Sequence, residues 1–250
     1  MPDSPPENAD VLAHFTARAS HYDASSHWCT DTVLLDRIRN LLALSPDHHL
    51  LDVACGTGLV SRAMRPHVAT ITGVDITPAM FDQARDCIDN LHAAPAEALP
   101  LADASVDRVV CRQGIQFMDA PAAVAEMVRV TRPGGRIVLA DLCAWGSEDR
   151  DETFEVLRLR NPARRNFWLA DDLPGLLRAA GCETVEAHSH ISREVVDVWS
   201  DNHAIAESRR EAIRQVYASA SEPFRRLHKL ESTESGFVDH MRFELTAGIV

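Results

Sequence analysis

From residue 49 onward the chain alternates two hydrophobic patterns. Short apolar runs at 49–54, 68–75, 106–111 and 135–141 read as strands, the last launched from the turn "RPGG". Between them lie stretches whose apolar positions recur every three or four residues, at 59–65, 77–88 and 120–131, and these read as helices. Thr77 is expected to cap the helix 77–88, with Pro78 in its first turn. A further short strand is expected near 91–94. Such alternation predicts an α/β fold: a mostly parallel sheet with helices on both faces and right-handed crossovers.

The flanks differ. Residues 1–10 are acidic and Pro-rich and are expected to form a mobile tail. Residues 11–44 carry two helical patterns, the second marked by Val33, Leu34, Ile38, Leu41 and Leu42, before Pro46 interrupts. Beyond 141 the pattern loosens. A charged, partly helical stretch is followed by "ADDLPGLLRAAGC", a helix ending at Gly181, and by "ETVEAHSHI" (183–191), which alternates like a strand. Residues 194–232 read as helical, with a boundary near Pro223, and "FVDHMRFELTAGIV" as an extended return to the sheet. We expect one domain over 11–250, with a helical cap at 11–44 and a helical addition at 194–235.

Composition narrows the function classes. Of 250 residues, 46% are hydrophobic and 25% charged, a globular balance. The formal net charge of −12 argues against nucleic-acid phosphates or anionic membrane as partners. The six cysteines are scattered with no C-x-x-C pair, so no metal site is expected. No apolar run approaches membrane-spanning length, and a cytoplasmic location is expected.

The strand at 49–54 runs into "ACGTGL". Gly56 and Gly58 remove the Cβ atoms that would hold a ligand off the backbone, and the helix starting near Leu59 points free N–H groups at the same space. This suits a nucleotide-like ligand or a carboxylate, although two glycines also make an ordinary tight turn. Asp52–Gly58, Asp75 and Cys111–Gln116 all fall at the carboxyl edge of the predicted sheet, where ligands of open α/β sheets sit. A nicotinamide-dependent oxidoreductase would place a third small residue at 61, where Ser61 stands, and an acid near Asp75. Asp52, four residues before the first glycine, suits a ligand ammonium and gains nothing from a pyrophosphate.

"LLDVACGTGLVSRAM", "ITGVDITPAMFDQAR", "AEALPLADASVDRVVCRQGIQFM" and "EMVRVTRPGGRIVLAD", in this order, resemble the successive motifs of class I S-adenosylmethionine-dependent methyltransferases, in the branch of the ubiquinone and menaquinone enzymes. The resemblance implies a Rossmann-like, seven-stranded sheet with an antiparallel last strand. It also implies S-adenosyl-L-methionine as cofactor and S-adenosyl-L-homocysteine as product. On it, Asp52, Ala54, Gly56, Thr57 and Gly58 hold the methionine portion, Asp75 the ribose hydroxyls, and Ile76 and Met80 flank the adenine. Ala96 and Glu97 meet its edge, with Pro95 where an Asp or Asn often stands. Arg112, Gln113 and Phe117 lie beside the sulfonium, and Tyr22 lies over it. The plainer alternatives are Asp75 as a mere cap of the helix 77–88, Glu97 and Asp103 as solvated carboxylates, and Met80 and Phe117 as core.

Methyl transfer from a sulfonium is an in-line displacement whose leaving group departs neutral, so alignment and exclusion of water matter most. No catalytic dyad is visible, and the receiving atom (carbon, oxygen, nitrogen or sulfur) is left open. A small-molecule acceptor is expected, with His21, Trp28, Gln116, His188, Trp199 and His203 as candidates for its pocket and His27, His190 and Asn202 beside them. Arg158, Arg160, Arg164 and Arg165 are candidates to border that pocket and favour an acidic or phosphorylated acceptor, against a solvated helix face as the plainer reading. Monomer and homodimer both stay open, as does a non-catalytic protein that binds the same cofactor.

Overall fold

The protein, described here by a computed structural model of residues 8–234 and 236–250, is built on one mixed sheet. Its strands are β1 (His49–Val53), β2 (Thr70–Asp75), β3 (Asn90–Ala93), β4 (Val106–Arg112), β5 (Thr131–Cys143), β6 (Glu183–Val195), β7 (Glu231–Thr233) and β8 (Gly236–Ile249). The order is β3-β2-β1-β4-β5-β8-β6, with β7 paired to the start of β8. β1 to β5 pair in parallel, while β8 runs antiparallel between β5 and β6. This is the expected Rossmann-like sheet with its antiparallel last strand, β7 being an addition.

The strands are apolar on both faces because helices cover both. Along β5, Ile137 and Leu139 face one core and Val138, Ala140 and Leu142 the other. On the first side pack α5 (Ala120–Val130) and α7 (Asp172–Ala179), through Val124, Met127, Leu173 and Leu177. On the second pack α2 (Thr32–Leu42), α3 (Leu59–Met64), α4 (Phe81–Ala84), α6 (Arg150–Arg160), α8 (Val196–Ser200), α9 (Glu207–Ala218) and α10 (Glu222–Leu227). α1 (Asn8–Arg18) lies over the carboxyl ends of the strands, where Val11 packs with Phe117 and Phe15.

Several elements depart from expectation. α1 starts at Asn8, so the last three residues of the expected tail are helical, and residues 1–7 lie outside the described residues. The stretch 77–88 forms a single 3-10 turn (Pro78–Met80) and the four-residue α4, because the Asp89 N–H is drawn back to Ile71 O at 3.0 Å. The Thr77 side chain caps nothing; its N–H instead donates to Asp75 Oδ1 at 2.8 Å. The "RPGG" segment belongs to β5 as a bulge, Val106 pairing with Thr131 and Arg108 with Arg136. β6 continues to Val195, so the helical addition occupies Val196–Leu227 only.

A buried polar network fastens that addition to the sheet. His228 follows α10 and stacks on Phe224 with ring centroids 3.8 Å apart. Its Nδ1 lies 2.7 Å from Asp239 Oδ1, on β8, and its Nε2 3.0 Å from Asp149 Oδ2, ahead of α6. Tyr217 OH of α9 donates to Asp239 Oδ2 at 2.6 Å. Burial alone pulls His228 down, but the two carboxylates outweigh it and hold its pKa at about 9.

Because the folded-state value lies above the unfolded one, the His228 contribution is complete below about pH 6.5 and is lost as pH rises through about 9. Urea unfolding should show His228→Ala to be less stable than wild type by on the order of 3 kcal/mol at pH 6. The gap should narrow by pH 10; a gap independent of pH would refute the ionic character of the network.

Candidate active site

The carboxyl ends of β1, β2 and β4 open into a cleft with about 600 Å³ of free space, the open solvent at its mouth included. β1 is followed in the chain by β2 on one side and bordered by β4 on the other, so the cleft sits where the strand order reverses. Its floor is strained backbone: Ala54 (φ 57°), Gly56 (φ 51°) and Gln113 (φ 56°) are all left-handed. At Gly58 (φ 80°) an added Cβ would stand 3.1 Å from the Ala84 backbone and 2.9 Å from Cys87 Sγ, so only glycine lets α4 close against the loop.

Asp75 ends β2 and organises this floor. Its Oδ2 accepts from the Gly56 N–H at 3.0 Å and its Oδ1 from the Thr77 N–H at 2.8 Å. Burial pushes its pKa up, opposed by these two N–H groups. Each oxygen accepts one of these bonds and keeps acceptor capacity for a ligand hydroxyl.

Ten of the expected cofactor residues line this cleft: Tyr22, Ala54, Gly56, Asp75, Ile76, Met80, Ala96, Glu97, Gln113 and Phe117. Asp52, Thr57, Gly58 and Arg112 do not. Asp52 is buried on β1, where Oδ2 accepts from Ser61 Oγ of α3 at 2.6 Å; burial pushes its pKa up to about 6. Thr57 Oγ1 donates to Asp23 Oδ1 at 2.6 Å and, with Gln83 Nε2 donating to Ala19 O at 2.7 Å, ties the 19–24 turn over the loop. The Arg112 guanidinium sits 5.4 Å over the Trp28 ring.

Beside the cleft lies a second, narrower space, the inner chamber, with about 360 Å³ between protein atoms once the open solvent at its mouth is counted. Phe15, Tyr22, Gln113 and Phe117 border both spaces. Of the acceptor-pocket candidates, Trp28, Gln116 and Trp199 line the chamber. The others stand elsewhere. His21 and His203 pair with each other, ring centroids 4.5 Å apart, outside both spaces. His188 is exposed on edge strand β6 beside Glu186, because the returning β8 separates β6 from the parallel strands. His190 is spent on Asp31, the cap of α2, at 2.7 Å. His27 is exposed, and Asn202 Nδ2 donates to Arg160 O at 2.8 Å.

The arginine cluster divides in the same way. Arg160 and Arg164 line the chamber. Arg158 faces out, paired with Glu155, and Arg165 donates to Asn8 Oδ1 at 3.0 Å. Arg18 also lines the chamber, and the sequence reading did not single it out. Its signal was spacing: with Val11, His14 and Phe15 it completes one face of α1, a charge at a core-facing position. Among the described residues no group of three or more His, Cys, Asp or Glu could hold a metal ion, and no helix is long and apolar enough to cross a membrane.

Comparison with known proteins gives this geometry a lineage. A family profile described as a methyltransferase domain matches residues 51–139. The demethylmenaquinone methyltransferase of Beutenbergia cavernae is 30% identical over 216 residues, covering 81% of this chain and 82% of that protein. The malonyl-[acyl-carrier protein] O-methyltransferase of Serratia marcescens is 34% identical over 148 residues, and the match spans 58% of this chain but only 57% of the relative. In fold, the YcgJ protein of Bacillus subtilis superposes with a TM-score of 0.79 at 22% identity, covering 86% of this chain and 97% of that one. The chain belongs to the class I S-adenosylmethionine-dependent methyltransferases. The cleft suits that family's cofactor: a carboxylate at the end of β2, a loop that Cβ atoms would crowd, and apolar walls at Ile76 and Met80.

Calorimetry with S-adenosylhomocysteine should show Asp75→Ala to bind at least about tenfold more weakly than wild type, the scale of a charge-assisted hydrogen bond. Asp52→Asn, which keeps a partner for Ser61 and lies outside the cleft, should stay within about threefold. Equal losses in both variants would contradict the placement of these two carboxyl groups.

Proposed function

We propose that the protein transfers a methyl group from S-adenosylmethionine to a small molecule held in the inner chamber. The observation that carries this reading is the shared wall: four side chains border both the cofactor cleft and the chamber. Cofactor and acceptor held in these spaces meet across Phe15, Tyr22, Gln113 and Phe117. In the cleft, Asp75 would take the ribose hydroxyls, while Ile76, Met80, Ala96 and Glu97 surround the base.

The bound cofactor supplies an electrophilic methyl group; the chain supplies alignment and a dry, shaped space. The aromatic walls contribute much of this. Phe15 meets Phe117 edge-on at 5.0 Å, and burial pushes the Tyr22 pKa up to about 12, which keeps its phenol neutral. Among the described residues lining the chamber there is no Asp, Glu or His to act as a base.

Calorimetry should give binding of S-adenosylhomocysteine and none of NAD; the reverse result would replace this reading by an oxidoreductase. A panel of phenols, amines, thiols and acids, scored by release of S-adenosylhomocysteine, should identify an acceptor. With that acceptor, Tyr22→Ala should lower kcat/KM at least about tenfold by opening the shared wall to water.

A further inference from the structure

The inner chamber holds positive charge that the protein does not neutralise. Arg18, at the end of α1, is 2% exposed, and Arg160, at the end of α6, is 7% exposed. Arg18 Nη2 donates to Ser25 Oγ at 3.2 Å, Nη1 lies 3.5 Å from His14 Nε2, and Nε has no partner among the described residues. Arg160 Nε donates to Trp199 O at 2.8 Å and Nη2 to Ser26 Oγ at 3.0 Å. Among the described residues neither guanidinium is ion-paired with a carboxylate. Arg164, the third arginine of the chamber, has one: Asp141 lies 3.6 Å away.

Neither the nearby carboxylate nor the nearby histidine makes an ion pair with these arginines among the described residues. Glu194, whose field reaches Arg160, accepts from the N–H groups of His27 (3.0 Å) and Trp28 (3.1 Å) and from Ser192 Oγ (2.6 Å). His14 is driven toward its neutral form by burial and then by the two arginines. What faces the guanidinium groups is aromatic: Arg18 stands 5.1 Å over Tyr22 and 5.4 Å over Phe15, and Arg160 4.6 Å over Trp199. Ring faces soften a buried cation but do not replace an anion, and an unpaired buried charge is costly. In the same chamber Gln116 Nε2 donates to Gln113 Oε1 at 3.0 Å, which leaves Gln113 Nε2 and Gln116 Oε1 without partners.

We propose that Arg18 and Arg160 bind a carboxylate of the methyl acceptor, a compact molecule whose flat apolar body lies between the aromatic walls. The inference rests on the chamber being the acceptor site. Both arginines line the chamber but not the cofactor cleft. The carboxylate is thus a handle at the inner end, and the atom that receives the methyl lies at the other end, by the wall shared with the cleft. Two planar guanidinium groups match the two oxygens of a carboxylate, and the aromatic faces match a ring or conjugated chain.

Benzoate, benzamide and phenyl phosphate, titrated calorimetrically into the protein saturated with S-adenosylhomocysteine, test this. Benzoate should bind at least tenfold more tightly than benzamide, and more weakly as NaCl is raised. Arg160→Met and Arg18→Met should each lose at least tenfold for benzoate with benzamide unchanged, and Arg160→Lys should recover part of the loss. S-adenosylhomocysteine binding reports separately on folding and on the methyltransferase reading. If the wild type fails to bind it, that reading falls; if it binds and benzoate does not exceed benzamide, only the handle falls. Phenyl phosphate binding more tightly than benzoate would overturn the carboxylate assignment. The wild-type comparison needs no variant, so a misfolded arginine mutant does not rescue the idea.

Discussion

A single carboxylate joins the two halves of the cofactor cleft. Asp75 ends β2, yet the groups it accepts from belong to the loop after β1 and to the turn after itself. Glycine at 56 and 58 gives the loop its left-handed path, and an ionisable group on the adjacent strand keeps it there. Neither feature suffices alone: a loop of glycines without an acceptor would sample many shapes, at an entropic cost on each binding event. Strained backbone at Ala54 and Gln113, just past the carboxyl ends of β1 and β4, fits preorganisation of this kind.

Much of this architecture is legible in the residue order. Strands buried on both faces leave continuous apolar runs, so β1, β2, β4 and β5 stand out, and their carboxyl ends bring Ala54, Asp75 and Gln113 together. Local rules failed where a distant group competes. Thr77 has the residue type of a cap, but its side chain is turned to Asp75 instead. Asp52 has the position of a ligand contact, but Ser61 claims it from the following helix. The histidines of β6 alternate correctly and still miss the site, because alternation says nothing about which strand separates them from it. Arg18 was hidden by the opposite problem: one charged residue on a short helix carries no information about the chamber that other segments build around it.

The two spaces draw on different parts of the chain. The family match ends at residue 139, inside β5, and takes in the cleft's lining except for Asn8, Val11, Phe15 and Tyr22. The chamber's inner end is built from Arg18, Arg160, Arg164 and Trp199, all outside that match. A sheet that positions one ligand can therefore stay constant while flanking helices alter the other, which is how one fold serves many acceptors. In this chain those helices are fixed firmly: Asn202 holds the Arg160 carbonyl, and the His228 network ties α6, α9 and α10 to β8.

The place of β8 carries a consequence for how the molecule assembles. It pairs on one side with β5, residues that precede it by on the order of a hundred positions, and on the other with β6, which has no other strand partner. The parallel strands β1 to β5 all precede β6 and β8 in the chain. The edge strand cannot join them until the segment after residue 235 has emerged and slid between. β8 is thus the strand that covers the facing edges of β5 and β6, edges that would otherwise be open to pairing with other chains.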